Sequence, residues 1–584
     1  MDETKESQTS HLRPAPAPSR QLREHAFHTL PAYSGPYSVG CMEIELPVRE
    51  PRIFSRIKRD NIPALRLDTV LFSIYYPCDV SSYASNGKTP SKPTWLPRPR
   101  ARTCKGYAKF LSIPRLPVTA YIAGTTMFTK LPALRNAKLA GGPPHEQNPP
   151  LQEDSQATLG GDSGQNPVFP VILFSHGLGG SRMCCSAVCG EMASNGFVVV
   201  ALEHRDGSGA RSYVNVPPSQ NLADCRVLDN TKSENSYLVD YIFPKDNPLD
   251  TSPNNERGPD TELRTAQIEM RLAEIEEAYA VLELINKGQG ELVLKNNLRK
   301  EGNIGSSSKG LDNIDWSDWL GRLHLNQVTV MGHSFGGATT VQMTREGGRF
   351  PWVGQGIALD AWGPAIPKLG DSCQKPTTKP LLAIGSEAFM HWPENFDGIA
   401  ELCKNAADAG GKCWMMTIKG STHLSQTDFA ILYPNWMSWF AKTMIHPRRA
   451  VAITINSSLE FLKMVLPEEQ TVGNSWIDEH FLDTEVFSPE NGILDEYRPD
   501  EKWMAARLKI PHEFRLRLMN WLRRVSEPPD APRDASGKPL VGLITRRLGD
   551  EVWMHLSPRK GNVEDGIEPS EELSRRESST GSKT

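Results

Sequence analysis

Gly332-His333-Ser334-Phe335-Gly336-Gly337 decides the fold of this chain. The six residues before it, Asn326-Gln327-Val328-Thr329-Val330-Met331, read as a short buried strand. The six after it, Ala338-Thr339-Thr340-Val341-Gln342-Met343, read as the first turns of a helix. A serine between glycines at a strand-to-helix corner has its hydroxyl lifted clear of the backbone and faces a helix N-terminus, which favours an anion. Glycine is expected at 332 and 336 because a Cβ at so sharp a turn would meet neighbouring strands and helices. The chain carries its own control in Gly161-Asp162-Ser163-Gly164, a serine motif of protease type. That one lies in a Pro/Gly/Gln-rich stretch with no strand around it and reads as linker.

Working outward, short apolar segments alternate with helical ones. Strands are predicted at Leu71–Tyr76, Val168–Ser175, Phe197–Leu202, Gly356–Leu359, Pro380–Ile384 and Cys413–Ile418. Helices are predicted at Met183–Ser194 and Thr261–Lys287. In the second, Ile268, Leu272, Ile275, Tyr279, Leu282 and Ile285 recur at steps of three and four and form one buried stripe. Near-continuously apolar strands between helices imply a mostly parallel sheet covered on both faces, an α/β fold. With the serine corner added, the expectation is an α/β-hydrolase fold.

The 584 residues carry a net charge of −4, which gives no bulk field drawing the chain to nucleic acid. The composition, 38% hydrophobic and 23% charged, suits a soluble protein with polar, disordered segments. No apolar run is long enough to span a membrane. The polar start Met1-Asp2-Glu3-Thr4-Lys5 resembles no signal peptide and lacks the Gly at position 2 needed for N-myristoylation, so the expected compartment is the cytoplasm. The cysteines have no repeating spacing; Cys184, Cys185 and Cys189 cluster without a second ligand pair and read as reduced thiols. Neither metal nor cofactor is expected.

The expected organisation is a disordered segment 1–32, a catalytic domain 33–445 with flexible inserts at about 136–166 and 288–313, a partly helical extension 446–560 and a disordered tail 561–584. In the extension, Phe514, Leu518, Trp521, Leu522 and Val525 share one helical face flanked by Arg515, Arg517, Arg523 and Arg524. Such a helix either packs on its own domain or lies in a membrane interface.

A nucleophilic serine needs a base, and the base needs an orienting acid. His423 stands on the loop after the last predicted strand, where a base belongs; His391 is its rival. For the acid, Asp360 ends one strand and Glu387 the next, and spacing leaves both open. An oxyanion hole needs two backbone N–H groups. One is expected from Phe335, the other from Leu178 in Ser175-His176-Gly177-Leu178-Gly179-Gly180, a glycine loop that lacks the Lys and Ser/Thr of a phosphate-binding loop.

Five segments in order resemble the platelet-activating factor acetylhydrolases of the monomeric type: Phe174-Ser175-His176-Gly177-Leu178-Gly179, Glu203-His204-Arg205-Asp206, the serine corner through Ala338, Ala358-Leu359-Asp360-Ala361-Trp362, and Ile418-Lys419-Gly420-Ser421-Thr422-His423. The likeness covers roughly residues 33 to 445 outside the inserts. It implies Asp360 as the acid of a Ser334–His423–Asp360 triad, with Glu387 the alternative. It also implies a phospholipid substrate, losing a short or oxidised sn-2 acyl group without calcium. The competing expectations are a general carboxylesterase or polyester hydrolase on the same triad, and a non-catalytic membrane-binding or scaffold protein. Oligomeric state, and acyl-chain and head-group preference, are left open.

Overall fold

The structure, a computed structural model, describes residues 28–59, 62–80, 83, 90–112, 114–142, 166–217, 236–305, 310–367, 375–486, 508–510, 514, 518 and 551–558. Its main element is an eleven-stranded sheet. The longer strands, numbered along the chain, are β1 Ser38–Ile53, β2 Arg66–Asp79, β3 Phe169–Ser175, β4 Val198–Leu202, β5 Leu323–His333, β6 Val353–Leu359, β7 Leu381–Ser386, β8 Cys413–Ile418 and β9 Val552–Leu556. Across the sheet they stand in the order β1-β2-β4-β3-β5-β6-β7-β8-β9. From β4 to β8 every neighbouring pair is parallel. β2 runs antiparallel to β1 and β4, and β9 antiparallel to β8.

The helices that matter below are α1 Arg100–Phe110, α2 Arg115–Thr126, α3 Ser186–Ser194, α4 Thr261–Asn286, α5 Gly290–Asn296, α6 Phe335–Arg345, α7 Pro393–Asp408, α8 Pro434–Trp439 and α9 Pro447–Val465. Successive strand side chains point to opposite faces, so each strand feeds two cores. Val198, Val200 and Leu202 pack with Ile268, Leu272 and Ile275 of α4 and Leu402 of α7 on one face. Val199 and Ala201 pack with Val188 and Met192 of α3 and with Ile453, Leu459 and Leu462 of α9 on the other. Each of these valine, leucine, isoleucine and methionine side chains, fully buried, contributes about 1.5–3 kcal/mol. A mostly parallel sheet with helices on both faces is the α/β-hydrolase architecture that the sequence implies.

α4 starts where Asp260 caps it, its side chain accepting from the Leu263 N–H, and stops before Gly288 at φ 77°. The expected apolar stripe is buried, and so is a polar one: Arg264, Gln267, Arg271 and Glu274 are all inaccessible. That second stripe matters for the site.

The described residues place parts of three stretches of the expected organisation, the two inserts and the extension. The stretch 288–313 contains α5, after which Asn297 accepts from the Glu45 N–H and Arg299 pairs with the fully buried Glu45 carboxylate of β1. A buried charge needs such a partner, so this segment belongs to the fold. The start of the stretch 136–166 is likewise anchored, with Asn136 Nδ2 donating to the Gly310 and Asp312 carbonyls; residues 143–165 lie outside the described residues. Past 445, α9 lies in the same core as the strands, and β9 pairs β8. β9 caps an edge that would otherwise present unpaired backbone groups, and Arg449 ties the two pieces by binding Glu551 and Glu479. Of the expected amphipathic tail helix, Phe514 and Leu518 are helical and exposed; its other apolar positions and its arginines lie outside the described residues. So do both expected disordered ends, save 28–32.

Candidate active site

Ser334 sits between β5 and α6 with φ 59° and ψ −118°. A non-glycine residue in such a conformation stores about 1–3 kcal/mol of strain that the surroundings must offset. Here they do so by hydrogen bonds: the Ser334 N–H donates to the Leu359 carbonyl at 2.9 Å, and the Ser334 carbonyl accepts from Trp362 and Ala338 at 3.1 Å. The corner is therefore clamped to the end of β6. The flanking glycines are sterically required. A Cβ at Gly332 would stand 2.2 Å from the Gly336 carbonyl oxygen, and one at Gly336 would stand 1.9 Å from that of Ser175.

Asp360, the residue after β6, also has a positive φ, 41°. Its backbone N–H is held by the Ile384 carbonyl at 2.7 Å. Its carboxylate accepts from the Ser386 N–H at 2.6 Å, from Ser386 Oγ at 2.8 Å and from His423 Nδ1 at 2.6 Å. With Nδ1–H donating to Asp360, His423 keeps Nε2 as its basic nitrogen. Ser334, Asp360 and His423 are all buried, in a setting where charge–charge interactions are strong.

The two rivals are occupied elsewhere. Glu387 accepts from the Gly420 N–H at 2.5 Å, holding the loop that carries His423, and its carboxylate faces His391 Nε2 at 3.7 Å. The pair Glu387–His391 braces the turn; the pair Asp360–His423 adjoins Ser334.

Other residues that shape the site escape a reading by motif. Phe389 stacks on the His423 ring at 4.2 Å between centroids, with 4° between planes. His333 packs against the other side of the ring at 4.6 Å, and its Nε2 bonds to the His423 carbonyl at 2.9 Å. Burial, reinforced by the neighbouring His423, pushes the His333 imidazole down to about 3, so it is neutral and donates that bond. His333 was visible inside the Gly-His-Ser-Phe-Gly signature, but only the folded loop shows what it holds.

The loop after β3 carries Leu178. It lies against the serine: a Cβ on Gly177 would stand 2.7 Å from the Ser334 Cβ and 3.2 Å from its Oγ. Neither the Leu178 N–H nor the Phe335 N–H has an acceptor among the described residues. The structure thus brings the predicted residues together in one place: Ser334 and Phe335 at the corner, Leu178 on the loop against it, and Asp360 bound to His423.

Cys184, Cys185 and Cys189 are buried thiols, and among the described residues no three His, Cys, Asp or Glu side chains are grouped to hold a metal ion. No described helix is long and apolar enough to cross a membrane.

The chain is similar to known proteins. The sequence family described as platelet-activating factor acetylhydrolase, isoform II, matches residues 154–480, more than half of the chain. A platelet-activating factor acetylhydrolase of Gallus gallus is 33% identical over 298 residues, covering 50% of this chain and 61% of that protein. The enzyme of the same name from Canis lupus familiaris is 26% identical over 438 residues, covering 74% of this chain and 76% of its own length. Among solved structures, a ferulic acid esterase from Streptomyces cinnamoneus aligns over 76% of this chain and 94% of its own, at 17% identity and a TM-score of 0.40. The chain belongs to the platelet-activating factor acetylhydrolase family, isoform II, and is a hydrolase of that family.

Proposed function

We propose that this chain is a serine esterase acting on phospholipids, which removes short or oxidised acyl groups from the sn-2 position without calcium. The observation that carries the reading is the 2.6 Å bond between His423 Nδ1 and Asp360 beside a serine strained onto its corner. His423 Nε2 takes the Ser334 proton as Oγ attacks the ester carbonyl. Asp360 holds the imidazole in the required tautomer and stabilises the imidazolium. The Leu178 and Phe335 N–H groups bind the oxyanion, each worth about 3–4 kcal/mol in the transition state. The imidazolium then gives its proton to the departing lysophospholipid oxygen, and water, activated by the same His423, releases the acid.

Exposed apolar side chains on α2 and around α8 support a lipid substrate. Leu116 and Tyr121 of α2, Phe128 just after it, Trp439 of α8 and the adjoining Phe440 are exposed. Tyr433, which precedes α8, joins these elements by bonding Thr125 and Thr126 of α2. Exposed aromatic and aliphatic side chains grouped in this way favour a lipid–water interface.

The test is hydrolysis of a phosphatidylcholine carrying sn-2 acetyl, against one carrying sn-2 palmitoyl, p-nitrophenyl acetate and a polyester, by the wild type and Ser334→Ala. Preference for the acetyl phospholipid, lost with the serine, is expected. Equal turnover of the simple ester and the polyester would make the chain a general carboxylesterase, and no turnover at all would leave a binding protein.

A further inference from the structure

At the base of the Leu178 loop lies another serine, histidine and carboxylate, here hydrogen-bonded in a chain. Ser175 Oγ bonds His204 Nε2 at 2.8 Å, and His204 Nδ1 bonds Glu274 at 2.6 Å. All three are buried, at 2%, 1% and 1% exposure. Beside them Arg271 of α4 is fully buried too. Its Nε donates to Asp206 at 2.8 Å, Nη2 to Ser208 Oγ at 2.6 Å, and Nη1 to the His176 carbonyl at 2.7 Å and Ser175 Oγ at 3.3 Å. Its guanidinium also lies 4.4 Å from the centre of the Phe335 ring.

Arg271 binds the peptide that precedes Gly177–Leu178. The Leu178 N–H belongs to the Gly177–Leu178 peptide, so whatever holds the Gly177 carbonyl aims that N–H. The Gly177 carbonyl accepts from His176 Nδ1 at 2.8 Å and from the Gly180 N–H at 3.1 Å. His176 has its proton on Nδ1 because its Nε2 accepts from the His204 N–H at 3.1 Å. On either side of the Gly177–Leu178 peptide, the His176 carbonyl is bound to Arg271, and the Gly179 N–H donates to the Ser208 carbonyl at 2.7 Å. Burying an ion pair such as Arg271–Asp206 is a poor route to stability, since apolar side chains of similar volume often serve as well or better. What the pair supplies is direction.

We propose that Arg271, backed by the Ser175–His204–Glu274 relay, is a positioning residue of the esterase reaction: it fixes the Gly177–Leu178 peptide against the Phe335 corner so that both N–H groups meet one oxyanion. The inference rests on the serine-esterase reading above. Arg271 touches the loop that carries one donor and the ring of Phe335, the residue whose backbone N–H is the other, and the relay fixes Ser175 and the His204 amide at the base of that loop.

The experiment uses the full chain, p-nitrophenyl acetate, and a fluorophosphonate to count competent sites, so that rates are given per labelled site. Arg271→Lys keeps the charge beside Asp206 but loses the planar fork; it should lower kcat about 30- to 100-fold with KM within twofold, part of the loss typical of a missing oxyanion donor. Ser175→Ala removes one oxygen and should lower kcat about tenfold, again at constant KM, by loosening the same peptide. A purely structural role would lower the number of labelled sites and the Tm while leaving kcat per site unchanged, and that result overturns the proposal. So does a loss confined to KM. If Arg271→Lys does not fold, Ser175→Ala decides by the same criterion. Wild-type protein without Ser334-dependent turnover would overturn the esterase reading itself, and this inference with it; active wild type with unaltered variants would overturn the inference alone.

Discussion

Ser334–His423–Asp360 and Ser175–His204–Glu274 are two sets of the same chemical groups, and their serines lie close together. Ser175 pairs in register with Gly332, two residues before Ser334. Each imidazole gives Nδ1 to a carboxylate at 2.6 Å. The difference is in the backbone. Ser175 ends a strand, with its hydroxyl turned into a packed network. Ser334 stands in a strained turn with positive φ, at the start of a helix, facing a glycine loop. A serine–histidine–acid trio is therefore common chemistry; under the proposed reading, what sets the Ser334 trio apart is the strained corner and the two N–H groups that have no acceptor among the described residues.

The largest effect separates the two serines. Ser334→Ala should lower kcat about 10⁴- to 10⁶-fold, whereas the same change at Ser175 should stay near tenfold. Comparable losses at both would erase the distinction. The carboxylates come next. Asp360→Asn should lower kcat about 10⁴-fold by upsetting the imidazole tautomer, while Glu387→Gln should cost far less because that side chain braces a loop. A reversal of these two would show that the acid was assigned to the wrong strand. Smaller again is Gly177→Ala, whose Cβ would press on Ser334 and on the His333 carbonyl. Pushing the Leu178 loop away should lower kcat about 10²-fold; an unchanged rate would mean the loop does not line the reaction.

The smallest effect is on stability, and both regions contribute. Burial pushes His176 down to about 4 and His333 down to about 3. Unfolded, each would titrate near its ordinary value of about 6.5 and so would bind more protons than the folded protein as the medium acidifies. The stability from their neutral forms is thus full above about pH 6.5 and is lost as pH falls toward the folded values, by about 2 kcal/mol for each at pH 5. Denaturant midpoints measured from pH 7 to pH 5 should fall accordingly; a flat profile would mean that these rings are hydrated.

Much of this was legible in the sequence because local rules sufficed. The serine corner and the apolar strands β3 to β8 announce themselves by short-range pattern, whereas local spacing left Glu387 beside Asp360 and His391 beside His423, and only the family resemblance favoured Asp360. β1 did not: its Glu43 and Glu45 face buried arginines 139 to 254 residues away in the chain, and a run with charges and Pro47 does not read as a sheet strand. β9 was hidden by distance, since the edge that it covers lies more than 130 residues earlier. The polar stripe of α4 was the missed signal. Arg264, Gln267, Arg271 and Glu274 repeat at steps of three, four and three, but such a stripe reads as a solvated face until the loops that it supports are placed over it.

The proposed function turns on Ser334, and not the hydrogen-bonded Ser175, being the nucleophile. Labelling the intact protein with a fluorophosphonate and mapping the adduct by peptide mass spectrometry tests it most directly. The account predicts one adduct, on Ser334, and none after Ser334→Ala. An adduct on Ser175, or an active enzyme that takes no label at Ser334, would contradict it.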